Sequence, residues 1–288
     1  FALVTAFTGD RSGAIVARVQ PMKLAALEAL YEGREGAPLT AVGVLRPEAE
    51  RTNDDDAFYF KIGIPKMLSL MSFRNADAFV PGINDLVYGN EERGILSAAE
   101  KMERGRVAVD ELGRYRAARE AGDTAAIAEI ASKFDRSTPE GEAFLRDHFA
   151  YFGYGYLDRP EQIVPNVPLL FYSFRVMVGA GCFFILLLGL MWWLNRRDRL
   201  ADKRWLLWMA VWTVPLAYLA SQAGWIVAEV GRQPWAIQDL MPVGVAASKI
   251  PSGSVAVTFF LFLALFTALL IAELSILFRQ IKIGPKND

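Results

Sequence analysis

Three long apolar runs, Leu169–Leu194, Trp205–Ala228 and Val255–Phe278, constrain this chain more than any other feature of it. Each reaches the ~20 residues that an α-helix needs to cross the hydrocarbon of a bilayer. Lipid offers no hydrogen bonds to an open backbone, so runs of this length must be helical. Pro215 falls inside the second run, where a kink is tolerable because neighbouring helices can satisfy the freed backbone groups. Residues 9–167 are of the opposite character, rich in Asp, Glu, Lys and Arg, and read as water-soluble. The expected architecture is therefore an all-α integral membrane protein. A large external hydrophilic loop domain, 9–167, precedes a bundle of transmembrane helices at about 169–194, 205–229 and 255–278.

Charge in the short links sets the orientation. Arg196, Arg197, Arg199, Lys203 and Arg204 lie between the first two spans, and Arg279, Lys282 and Lys286 follow the third. The link from 230 to 254 carries only Arg232 and Lys249. Positive charge accumulates on the cytoplasmic side, so 195–204 and the tail face inward and the hydrophilic loop faces outward. The first eight residues, Phe-Ala-Leu-Val-Thr-Ala-Phe-Thr, read as the end of a transmembrane helix whose start is missing, closed by the turn cluster Thr8–Gly13. Pro21 suits a helix start and Met22–Tyr31 a short helix closed by Gly33. Residues 34–57 read as irregular, with Asp54–Asp56 a solvated loop. Phe58–Ile64 alternates like a strand, and Lys66–Phe73 suits an amphipathic helix at the membrane. Ile95–Lys133 reads as charged surface helix broken at Gly122-Asp123, and Glu140–Tyr151 continues in helical style.

The net charge of −1 and the lack of a basic stripe with interleaved aromatics give no sign of a nucleic-acid partner. The single cysteine, Cys182, lies in an apolar run and the single histidine, His148, in the loop. Disulfide frameworks, Cys-based metal sites and a catalytic triad therefore have no sequence basis.

Three groups of residues carry candidate chemistry. Trp225, Glu229 and Arg232 stand at i, i+4 and i+7, on one stripe at the edge of the second span. A surface salt bridge is the plainer reading of Glu229 and Arg232; a metal ligand or proton carrier beside an anion-holding arginine is the sharper one. Arg175 and Met177 lie in the first turns of the first span, before the small residues Gly179, Ala180 and Gly181. A methionine there is usually packing, but a thioether is also an axial haem ligand, and small residues admit a flat macrocycle as readily as a helix. Arg175 either snorkels or meets an anion. Lys23 and Glu28 on the short loop helix are ordinarily a solvated face. For a quinol they offer a hydrogen-bond donor and a general base. Glu273 in the third span is an interfacial carboxylate or a proton-path residue.

Five ordered blocks resemble subunit I of the cytochrome bd-type quinol oxidases: Gly9–Gly13, Gln20–Glu28, Pro81–Leu86, Phe174–Met177 and Gly224–Trp235. The resemblance implies that Met177 is an axial ligand of a low-spin b-type haem, with Arg175 near its propionates. Glu229 would ligate a high-spin b-type haem, with Arg232 close to the haem pair and Trp225 between haems. Lys23 and Glu28 would belong to the quinol-oxidising Q-loop, whose length places the chain in the long-loop subgroup. The implied cofactors are two b-type haems and haem d, and the substrate is ubiquinol or menaquinol. Implied partners are subunit II, a small accessory subunit and the lipid of a bacterial cytoplasmic (inner) membrane. The implied reaction reduces oxygen to water. The family's histidine ligands lie in N-terminal helices that this sequence lacks, and His148 matches none of them. A non-catalytic membrane-anchored binding module, or a quinone-binding subunit of another respiratory complex, are the alternatives.

Overall fold

A computed structural model describes residues 2–47, 53, 56–248 and 250–284; Asp54, Asp55, Lys249 and Lys286 lie outside the described residues. The chain divides into two compact units, Phe1–Ala246 and Ala247–Asp288. The second unit is essentially one helix, α10 (Ser252–Ile283), which matches the third apolar run and has no buried residue.

The first unit begins with α1 (Ala2–Val19), which corrects the expected ending at Thr8–Gly13. Glycines at 9 and 13 weaken a helix by about 1 kcal/mol each relative to alanine, but tertiary contact overrides so small a preference. Here α1 packs on the two helices that follow it in the loop, α2 (Pro21–Glu28) and α3 (Met67–Phe73). Asp10, whose carboxylate would otherwise suit a turn, is held in an ion pair by Arg74 at the end of α3. Helix α2 starts at Pro21 as expected and stops at Glu28, short of Tyr31. Ala29 enters the left-handed region at φ 49° and its N–H closes back on Ala25 and Ala26. The next carbonyls, of Leu30 and Tyr31, accept from Ile83 and Asn84 N–H, which pulls the chain away from the helix axis.

Residues 34–57, expected to be irregular, hold two strands among the described residues. β1 (Arg34–Glu35) pairs antiparallel with β4 (Phe79–Val80), and β2 (Leu39–Leu45) with β3 (Phe58–Ile64). The strand expected at Phe58–Ile64 thus has its partner. Beyond it come α4 (Ile83–Tyr88), α5 (Ala98–Ala121), α6 (Thr124–Ser132) and α7 (Pro139–Asp147). The α5–α6 break falls at the expected dipeptide: Gly122 takes φ 72° as a left-handed cap, and the Asp123 carboxylate caps the first N–H groups of α6. Two 3-10 segments, Phe149–Tyr156 and Pro160–Ile163, lead into α8 (Val167–Asn195). A short link then returns the chain through α9 (Arg204–Val230) to the hairpin of β5 (Trp235–Ile237) and β6 (Met241–Pro242). Helices α8 and α9 realise the first two apolar runs and pack side by side, with Leu187, Leu194 and Leu206 buried between them near the link.

The main core joins loop and spans. Ala25, Leu27, Phe58, Leu86, Met102, Tyr154, Leu170, Phe171, Val227 and Trp235 form one buried cluster drawn from α2, β3, α4, α5, the 3-10 segment, α8, α9 and β5. Phe171 and Leu170 are fully buried, and full burial of such side chains contributes about 1.5–3 kcal/mol each. The hydrophilic loop is therefore a folded domain built onto the adjoining ends of two spans. Position along α2 translates directly into position against those spans.

Candidate functional site

Helix α2 presents its two ionisable groups to different spans. Glu28, at the C-terminal end, is 3% exposed and faces α8 and β2. Its Oε2 accepts from Thr40 N–H at 3.0 Å and from Arg175 Nη2 at 3.0 Å. Arg175 also donates through Nη2 to Thr40 O at 2.8 Å, and through Nη1 to Leu27 O at 2.7 Å and Phe171 O at 3.0 Å. Its guanidinium carbon lies 3.4 Å from the centroid of the Phe171 ring. Planar guanidinium suits this site because its fixed fork serves several acceptors while its face stacks on an aromatic. The pair is thus locked by backbone and ring contacts from three elements.

Burial raises the Glu28 carboxyl to about 7, against the opposing pull of the Arg175 guanidinium and the Thr40 N–H. A carboxylate that releases and takes a proton near neutral pH, held rigidly at the junction of loop and span, is equipped for general acid–base work. Arg175 Nε is buried without a hydrogen-bond partner among the described residues, leaving one N–H unused beside the first turns of α8.

Lys23 lies near the start of α2 and faces α9. Its Nζ donates to Ala228 O at 3.2 Å, one of the last carbonyls of that helix, which intrahelical bonds leave open and which carry the negative end of its dipole. Gly231 permits this approach: a Cβ there would sit 2.9 Å from Lys23 Cε and 2.5 Å from Val227 O. Desolvation holds the Lys23 ammonium below its ordinary pKa, and Arg232 pushes it further down while Glu229 opposes. Glu229 and Arg232 form an i, i+3 ion pair of 2.6 Å, each side chain 41% exposed, and a pair so exposed contributes at most about 1 kcal/mol. The sequence grouping of Lys23 with Glu28 is therefore replaced in space by two junctions: Glu28 with Arg175, and Lys23 with the Glu229–Arg232 end of α9.

Met177, two residues beyond Arg175, points at the facing helix. A Cβ at Gly224 would lie 3.1 Å from its Sδ, so the glycine is what lets the thioether reach α9. Trp225, beside it in sequence, is 63% exposed and takes no part in that contact. Among the described residues no cluster of three or more His, Cys, Asp or Glu is positioned to hold a bare metal ion. Single donors, the Met177 thioether and the Glu229 carboxylate, suit instead an iron already held by a macrocycle, which needs only axial ligands. The donor chemistry of α8 and α9, with the unused Arg175 N–H for an acidic substituent, therefore fits haem. His148 is remote in role: Nδ1 lies 3.4 Å from Arg104 O and its ring packs on Phe144. Glu273 sits on α10 in the second unit.

Sequence reasoning passed over several residues that build these junctions. Leu27 contributes only its carbonyl, which carries no side-chain signature, and Thr40 acts through its N–H and carbonyl with its side chain also lowering the Glu28 carboxyl. Asp85 explains the Pro81–Leu86 block: Oδ2 accepts from Gly33 and Gly82 N–H at 2.8 Å each, and Oδ1 from Asn90 at 2.7 Å, fastening the exit of α2 to α4. Asp239, at the β5–β6 turn, accepts from Tyr154 Oη at 2.9 Å, and burial raises its carboxyl. Through it the segment after α9 clasps the loop domain.

A family description, cytochrome bd terminal oxidase subunit I, matches residues 1–285. The cytochrome bd-II ubiquinol oxidase subunit 1 of Escherichia coli (strain K12) is 32% identical over 282 residues, covering 96% of this chain and 51% of the relative. The putative cytochrome bd menaquinol oxidase subunit I of Bacillus subtilis (strain 168) is 24% identical over 292 residues, covering 100% of this chain and 47% of the relative. Among solved structures, the bd oxidase from Geobacillus thermodenitrificans superposes with a TM-score of 0.57 at 26% identity, covering 99% of this chain and 47% of that one. The chain spans about half the length of these relatives.

Proposed function

Because the chain belongs to the cytochrome bd terminal oxidase subunit I family, we propose that it forms part of a terminal quinol:oxygen oxidoreductase and supplies its quinol-oxidising loop. The observation that carries this reading is the buried Glu28–Arg175 pair, which ties an acid–base group of the loop to the span bearing Met177. Quinol oxidation to quinone releases two protons and two electrons. Glu28 takes a hydroxyl proton, which its position near a pKa of 7 allows at neutral pH. Arg175 orients the carboxylate and stabilises its charge between turnovers. Lys23 offers an ammonium N–H to a quinone oxygen at the α9 junction.

Met177 would hold a low-spin b-type haem and Glu229 a high-spin one, with Arg175 and Arg232 as positive neighbours and Trp225 beside them. When bound, these haems together with haem d carry quinol electrons to oxygen, which is reduced to water. The loop lies on the external face of a bacterial cytoplasmic membrane and the basic 195–204 link on the cytoplasmic face. Subunit II and a small accessory subunit complete the assembly. The substrate is ubiquinol or menaquinol.

The test is a reduced-minus-oxidised spectrum of the membrane complex containing this chain, together with quinol-driven oxygen uptake. Bands of b-type and d-type haem with oxygen consumption are expected. Absence of haem would contradict the reading in favour of an anchoring module. Haem with quinol oxidation but no oxygen consumption would instead assign the chain to another respiratory complex.

A further inference from the structure

We propose that the β2–β3 ribbon is an interfacial membrane anchor, resting its apolar face on the lipid around the outer end of α8. Val42 faces Ile62 and Val44 faces Phe60 in the antiparallel register. Directly opposed residues lie on one face of a ribbon, and alternation adds Ile64. These five side chains are 43–56% exposed, a concentration of bare hydrocarbon that marks a contact surface. On β2 the other face is occupied at Gly43, where a Cβ would lie 3.1 Å from the Phe58 ring and 3.3 Å from Phe171, and Phe58 packs on Phe171 with ring centroids 5.5 Å apart; along β3, residues 59–64 stay exposed.

Continuity with the span identifies lipid as the occupant. Leu45 N–H donates to Tyr172 Oη at 3.0 Å, while Thr40 N–H and O bond Glu28 and Arg175. These bonds fix β2 against residues 171–175, in the first turns of α8. Helix α8 has 29 residues and so spans about 44 Å, against about 30 Å of hydrocarbon. Its end turns therefore lie at the headgroup level, and the ribbon lies with them.

Two further features suit that depth and no greater one. The outer edge of β3 has no neighbouring strand among the described residues, and an open edge is intolerable in hydrocarbon but acceptable in the hydrated interface. Lys61, alternating with the apolar stripe, and Arg46, at the end of β2, bring positive charge to the ribbon. There they stack on aromatic rings, Lys61 Nζ 5.1 Å from Phe58 and Arg46 Cζ 5.3 Å from Tyr59, within reach of anionic lipid phosphates.

Photocrosslinking in native membranes tests this on the assembled, full-length protein. p-Benzoylphenylalanine replaces Phe60 on the apolar stripe or Tyr88, an exposed aromatic at the end of α4 and outside the ribbon. Irradiation is expected to give phospholipid adducts at position 60 in several-fold excess over position 88, detected by mass. Val44 serves as a second stripe position should the Phe60 variant not accumulate. Adducts at 60 or 44 to another polypeptide segment or to quinone, or equal lipid yields at 88 and the stripe, would overturn the proposal.

Discussion

Replacing Glu28 by Gln is expected to lower quinol-driven oxygen uptake about 100-fold or more while haem content stays at the wild-type level. General-base catalysis is typically worth about 10²–10⁴ in rate, and Glu28 is buried in a position where no bulk water substitutes for it. Glutamine preserves the shape and still offers an oxygen to Thr40 N–H and Arg175, so the junction persists without a group able to take the proton. Alanine is the less informative change: it strands the Arg175 charge in a buried site, and breaking a buried ion pair costs about 3–5 kcal/mol. An artificial donor that reduces the haems directly separates the two possible faults. With it, the Gln variant should consume oxygen normally. Loss of uptake with both donors would move the defect from quinol oxidation to assembly.

The second large effect is spectroscopic. Met177→Leu is expected to abolish the low-spin b-type haem signal in the reduced-minus-oxidised spectrum of the assembled complex. Leucine keeps nearly the volume that packs against Gly224, so it removes the thioether with little disturbance to the α8–α9 contact. Met177→Ala should lose the same signal but adds a cavity between the spans, and agreement of the two variants isolates sulfur as the cause. An unchanged spectrum in the leucine variant would withdraw the ligand assignment and return Met177 to ordinary packing.

How much of this was legible in the sequence depended on the range of the interaction. The three spans announce themselves because burial in lipid demands about 20 consecutive apolar residues, and the helices found enclose all three runs. The α5–α6 break was legible because Gly122 and Asp123 act locally, as cap and counter-cap. Strand β2 was not: Gly43 interrupts its pattern, and its apolar stripe faces outward where a core-facing pattern is normally sought. The end of α1 is not legible either, because two glycines suggest a turn, whereas contact with α2 and α3 and the Asp10–Arg74 pair sustain the helix.

The candidate site shows the same limit more sharply. Glu229 and Arg232 were legible as a pair from helical spacing, and they do pair. Glu28 and Arg175 are separated by 147 positions, so no helical spacing links them. Periodicity reports neighbours on one element, not which elements meet. Spacing and the cost of charge in lipid single out the candidate residues, the resemblance to a known family implies their roles, and the structure supplies the partners of Glu28 and Lys23.

The most direct measurement of the central claim is the pH dependence of kcat/KM for quinol oxidation, in the wild-type complex and in Glu28→Gln. Burial raises Glu28 from the ordinary 4.5 to about 7, so its base form accumulates as pH passes through 7. The same shift means that the folded state holds this proton after the unfolded chain has lost it. Glu28 therefore weakens folding progressively from about pH 4.5 to 7 and by a constant amount above. The account predicts that kcat/KM rises with pH along a limb centred near 7 in the wild type, and that this limb is missing from the residual activity of Glu28→Gln. The same limb surviving in the Gln variant would contradict it.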